Sequence, residues 1–121
     1  MTSLNYHEII QKAYDAFNRR DIDEVLSLMD LNVHWPNGWE GGYVSGHAEV
    51  RDYWTRQWRE INPNVSPVSI TQLDNNHVEV LVRQLVKDME DKILVDGLVK
   101  HVYSFKNCLI TQMEIQPGKW Y

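Results

Sequence analysis

With 121 residues, a 43% hydrophobic and 24% charged composition and a formal net charge of -5, the sequence reads as one globular domain over residues 1–121. Its acidic balance and scattered Lys and Arg exclude a phosphate-tracking surface, so no nucleic acid is expected as a partner. Cys108 is the single cysteine, which rules out an intrachain disulfide. The opening MTSLNYHEIIQKAYDAFNRR has no secretory pattern and no stretch reaches membrane-spanning length, so a cytoplasmic protein without membrane contact is expected.

From Asn5 to Arg20, apolar residues at Ile9, Ile10, Ala13, Tyr14 and Phe17 follow helical spacing and predict a first amphipathic helix. Asp21, with Glu24 three residues on, predicts an N-capped short helix through Ile22, Val25, Leu26 and Met29. A short strand is expected near Asn32 to Trp35. A third helix is expected from about His47 to Ile61, carrying Val50, Trp54, Trp58 and Ile61 on one stripe and stopped by Asn62-Pro63. After Pro67 the period changes to two. Strands are predicted at Val68 to Leu73, from Val78 past Val86, at Ile93 to Phe105 and at Leu109 to Gln116, broken by DNN, MEDK and KN. The class is therefore α+β, with three helices on one face of a mainly antiparallel sheet.

The segment VHWPNGWEGG places two tryptophans, a histidine, a proline and three glycines in ten positions. Either its aromatics cap the core, or Trp35 and Trp39 form one wall of a ligand pocket. Trp54 and Trp58 admit the same two readings, as core or as pocket floor. His101 lies between Val99 and Tyr103 on the apolar face of its strand, where an imidazole can act as acid or base or can be a satisfied core group. Gln84 and Asp88 alternate in phase with Val82 and Val86. His34 points to the face opposite Trp35, His47 reads as a helix-start residue, and Glu40 and Glu114 read as exposed carboxylates. The histidines are too dispersed for zinc-ligand spacing or a facial triad, so no metal and no cofactor are expected.

AYDAFNRRDIDEVLSLM, VHWPNG followed by SGHAEVRDYW, and the late HVYSFKNCLITQMEI together resemble the SnoaL-like family of the nuclear transport factor 2-like superfamily, over essentially the whole chain. The resemblance implies a curved sheet wrapped into a cone around three N-terminal helices, with a mouth opening onto a small-molecule pocket. It also implies a homodimer, for which the outward Leu81, Arg83 and Leu85 offer a mixed surface. Ketosteroid isomerases of that superfamily need a carboxylate base just before the proline of the VHWPNG segment, a tyrosine and a protonated aspartic acid. Here Trp35 holds the base position, the tyrosine position falls on Ala13 beside Tyr14, and the acid position falls on His101, or on Lys100 with a one-residue slip. Steroid isomerisation is not expected. The expected pocket comprises Trp35, Trp39, Trp54, Trp58, Gln84 and Tyr103 around a small hydrophobic organic molecule, with His101 the candidate catalytic group. Isomerase, cyclase and hydratase chemistry without a cofactor, ligand binding without chemistry, and a dimerising domain used only for protein association remain as alternatives.

Overall fold

The helical spacing at the start of the chain folds as α1 (Tyr6–Asn18), which buries Ile9, Ile10, Ala13, Tyr14 and Ala16. The computed structural model describes residues 6–38 and 40–116. α1 ends in a Schellman arrangement, with the Asp21 N–H on the Ala16 carbonyl at 2.9 Å and the Arg20 N–H on the Phe17 carbonyl at 3.0 Å. Arg20 holds the left-handed position, at φ 63°, where glycine is usual. Its guanidinium offsets that strain by donating to the carbonyls of Phe17 (3.1 Å) and Pro63 (2.7 Å) and to the Asn62 side chain. Asp21 then caps α2 (Ile22–Ser27), its carboxylate accepting from the Glu24 N–H at 3.2 Å.

Strand β1 (Met29–Pro36) turns back into β2 (Tyr43–Ser45), a three-residue strand with no signal in the sequence, paired antiparallel through Trp35 and Val44. The intervening loop is closed by Asn37, whose backbone N–H donates to Gly42 at 2.8 Å. Gly41 and Gly42 supply the positive φ it requires. Helix α3 (Gly46–Glu60) follows, and the chain passes from it directly into β3 (Ile61–Gln72). Strands β4 (His77–Asp88), β5 (Ile93–Lys106) and β6 (Leu109–Gln116) complete the meander, with breaks at or within a residue of those expected. The last turn is carried by Asn107 and Cys108, both at positive φ (54° and 65°), as a two-residue hairpin demands.

The six strands lie in the order β2-β1-β6-β5-β4-β3 in one curved, unclosed sheet, antiparallel throughout except for the parallel pair β1–β6. This is an α+β arrangement of three helices and one sheet, α1 packing over β3 and α3 over β1 and β3. Along β4 and β5 the inward positions are Val78, Val80, Val82, Val99, Tyr103 and Phe105, all buried. His101 stands in the same alternation, opposite Val80. On the outer face Leu81 and Leu85 are half-buried, and Arg83 pairs with Asp96 at 3.3 Å.

Two expected boundaries are overturned, the first at Met29, which opens β1 where the second helix was expected to continue. At the second, Asn62-Pro63 do not begin a loop, and the strand expected from Val68 already starts at Ile61. β3 is an edge strand, paired only with β4, so half of its backbone groups need no strand partner. Pro63, Val65 and Pro67 share one alternation, and the groups that Pro63 and Val65 direct away from β4 are met by side chains. Asn18 takes both groups of Val65, donating to its carbonyl at 2.7 Å and accepting from its N–H at 3.0 Å, while Arg20 takes the Pro63 carbonyl. Prolines therefore stand where no donor is wanted, and two side chains from the end of α1 blunt an edge that would otherwise invite another strand. Asn18→Ala leaves both Val65 groups without a protein partner and is expected to cost about 1–3 kcal/mol. A fall in melting temperature of roughly 5–10 °C would record it, with Asn18→Asp, which keeps the acceptor, falling in between.

Candidate functional site

Between α1, α3 and the inward face of the sheet lies a cavity of about 390 Å³. Trp35 from β1 stands edge-on to Trp54 of α3, with ring centroids 5.7 Å apart, and tilted against Tyr103 at 6.2 Å. All three line the cavity, as do Pro36 and Gly38. The glycine- and tryptophan-rich segment thus supplies part of a wall. Trp39 lies outside the described residues.

Three polar groups meet in the depth of the cavity. The Tyr103 hydroxyl donates to the Tyr14 hydroxyl at 2.8 Å, and Tyr14 Oη lies 2.7 Å from His101 Nδ1. With Tyr14 accepting from Tyr103, its own hydroxyl hydrogen is free to be donated to Nδ1, the arrangement in which Nε2–H is the donor of the His101 ring. The Tyr14 ring stacks on His101 with centroids 5.9 Å apart. Gln57 on α3 adds a buried amide that donates to the Tyr53 hydroxyl at 3.1 Å, while its Oε1 has no partner among the described residues. Among the described residues, none that lines the cavity is an Asp, Glu, Lys or Arg.

Of the expected site residues, Trp35, Trp54, Gln84, Tyr103 and His101 all line this cavity. Trp58 does not. It sits one turn farther along α3 than Trp54, about 6 Å along the axis, stacked on Trp54 at 5.8 Å and covered by the Arg20 guanidinium at 5.0 Å. The same stripe thus leaves the cavity where the end of α1 closes over it. Asp88, at the end of β4, accepts from the N–H groups of Glu90 (2.8 Å) and Lys92 (2.9 Å) and shapes the turn there. His34 stacks on Tyr43 at 4.4 Å on the far face, and His47 contacts the Met29 carbonyl at 3.0 Å from the first turn of α3. Glu40 is tied to Arg56 at 2.5 Å and Glu114 accepts from Tyr43 at 2.8 Å, both at the surface. Tyr14, Tyr53 and Gln57 are the polar lining residues that sequence reasoning missed. Tyr14 was named as a member of the apolar stripe and as the neighbour of Ala13, on which the tyrosine position was placed, and nothing local announces a partner 87 residues away.

Residues 10–113 match the family model of the SnoaL-like domain. No curated protein matches the chain in sequence. Among solved structures, an NTF2-like protein of unknown function from Burkholderia pseudomallei superposes with a TM-score of 0.83 at 22% identity, over 96% of this chain and 92% of that one. A Mycobacterium tuberculosis protein in complex with estradiol-17beta-hemisuccinate gives 0.80 at 13% identity, over 93% of each chain. SalBIII, an epoxide hydrolase/cyclase-like enzyme in pyran ring formation in salinomycin, gives 0.78 at 17% identity, over 93% and 90%. At these identities the likenesses speak to fold.

Burial governs the electrostatics. His101 is only 8% exposed, and burial pushes its pKa down from 6.5 to about 4. Burial also raises the Tyr14 and Tyr103 hydroxyls above their ordinary value, so all three groups are neutral at pH 7. Between pH 6.5 and 4 the unfolded chain binds a proton at His101 that the folded chain does not, so stability rises with pH across that window. The contribution is complete above about 6.5 and is lost on acidification toward 4. Between pH 7 and pH 5 the parent should therefore lose roughly 2 kcal/mol more than His101→Gln, which chemical denaturation at the two pH values reads directly.

Proposed function

The chain belongs to the SnoaL-like family, and from that premise we propose that its cavity binds a small, largely apolar organic molecule whose oxygen accepts a hydrogen bond from His101. The observation that carries this reading is the convergence of Tyr103, Tyr14 and His101 on one apolar cavity. A cavity of about 390 Å³ falls in the range of small-molecule sites, which pair apolar walls with a few placed polar groups. The complex of the Mycobacterium tuberculosis relative in fold with a small molecule supports the same class of ligand. A sheet curling into a cone, its mouth rimmed by exposed Leu94, Val95 and Ile115, gives that ligand a way in.

A second reading adds chemistry: a cofactor-independent isomerase, cyclase or hydratase. It is favoured by the state of His101. A histidine with a pKa near 4 is a poor base at neutral pH, but its neutral Nε2–H can polarise a carbonyl or an epoxide oxygen in a site that excludes water. The cyclase-like description of SalBIII points the same way. The chain then works as one cytoplasmic domain, a location with which its lone exposed cysteine agrees.

2-Naphthol, a flat apolar ring system with one hydroxyl, is a suitable probe. Titration should change tryptophan fluorescence, Trp35→Phe should diminish the change, and His101→Leu should weaken binding about tenfold, as expected for a lost hydrogen bond. Equal affinity of parent and His101→Leu, with both folded by their thermal melts, would overturn the anchoring role. Homodimerisation is part of the proposal, supported by half-buried Leu81 and Leu85 on the outer sheet face. Sedimentation at micromolar concentration is expected to give twice the chain mass.

A further inference from the structure

The inward positions of β4 run Val78, Val80, Val82, Gln84, Val86, so one amide interrupts a row of valines. Gln84 is half-buried and lines the cavity, and its side chain makes no hydrogen bond to any described residue. Directly across the ladder stands Gly97, which brings no side chain over the amide. A polar group on an apolar wall is costly unless something satisfies it. No described residue does so here, and the half-buried amide is left to what enters the cavity, water or ligand.

The register sets Gln84 against the other polar end of the cavity. Val80 pairs with His101, Val82 with Val99 and Gln84 with Gly97. Gln84 and His101 are thus two inward pairs apart, roughly 13 Å along the strands at about 3.3 Å per residue, with Val82 and Val99 between them. Both side chains project into the cavity, which brings their polar atoms to a separation on the order of 10 Å across an apolar stretch.

We propose that the cavity selects an elongated ligand, a rigid apolar ring skeleton with a hydrogen-bonding oxygen at each end, one held by His101 and the other, nearer the rim, by Gln84. This rests on the reading of the cavity as a small-molecule site and adds the length and polarity of what fills it. The amide offers both donors and an acceptor, so the outer group is a hydroxyl or a carbonyl. In this arrangement His101 is the common anchor and Gln84 the residue that sets specificity.

Three biphenyls separate the terms: 4-phenylphenol with one oxygen, 4,4′-dihydroxybiphenyl with one at each end, and 2,2′-dihydroxybiphenyl with two close together. By tryptophan fluorescence, the 4,4′ compound should bind three- to tenfold more tightly than 4-phenylphenol, and the 2,2′ compound no more tightly than it. Gln84→Leu should erase the advantage of the 4,4′ compound, read as the ratio of its affinity to that of 4-phenylphenol on the same variant. Gln84→Val, which continues the valine row, serves should the leucine variant fail to fold. Equal binding of 4-phenylphenol and 4,4′-dihydroxybiphenyl by the parent, or survival of the gap in the variants, would overturn the role of Gln84 with the pocket reading intact. Failure of all three to bind would instead overturn the pocket reading.

Discussion

The Tyr14 hydroxyl is the smallest element on which the site depends. It accepts a hydrogen bond from Tyr103 and is hydrogen-bonded to His101 Nδ1, and so joins α1 to β5 inside the core. A hydroxyl that both accepts and donates imposes an order on its neighbours: the direction of the first bond decides the direction of the second, and the second decides which nitrogen of His101 carries hydrogen. Because burial also holds the imidazole uncharged, the site presents a neutral ring whose tautomer is tied to that order. The aromatic walls then matter electrically as well as sterically. They keep water away from a group whose hydrogen-bonding strength grows as the local dielectric falls.

A second constraint acts at the other end of α1. Helix ends leave carbonyls unpaired and edge strands leave backbone groups open, and here the two deficits are met by the same few residues. Arg20 serves the last turn of the helix through the Phe17 carbonyl and the strand through the Pro63 carbonyl, while Asn18 serves Val65. The guanidinium also lies over Phe17 and Trp58. Closing this corner takes Trp58 out of the cavity and leaves Trp54 as the tryptophan of α3 that faces it.

How much of this was legible in the sequence follows from the range of the forces involved. α1, α2 and the later strands announce themselves because their burial pattern repeats every few residues, and the Asp21 cap because its partner is three residues away. β3 was misjudged at Asn62-Pro63 because proline forbids a donor only where the ladder needs one, and an edge position is a property of the whole sheet. β2 is too short to show any period. In the cavity, Trp35, Trp54, Gln84, Tyr103 and His101 could be named from the phase of their own elements. Tyr14 acts through what it meets across the core, and no local pattern reports that. The loss of Trp58 has the same origin, since helical phase gives a direction without saying which neighbour lies along it.

The parallel pairing of β1 with β6 carries a consequence for how the protein is made. β6 inserts between β1 and β5, so the centre of the sheet is completed by the last strand to be synthesised among those described. At the usual pace of translation β1 waits several seconds for it. Through that interval its paired neighbour is only the three-residue β2, and Val33, fully buried in the finished protein, has half of its wall missing. Contacts of such long sequence separation form slowly, and until they form two inner strands are edges. The nascent chain is thus most exposed to aggregation at the seam that becomes its best-protected interior, and a ribosome stall before Leu109 would strand it there.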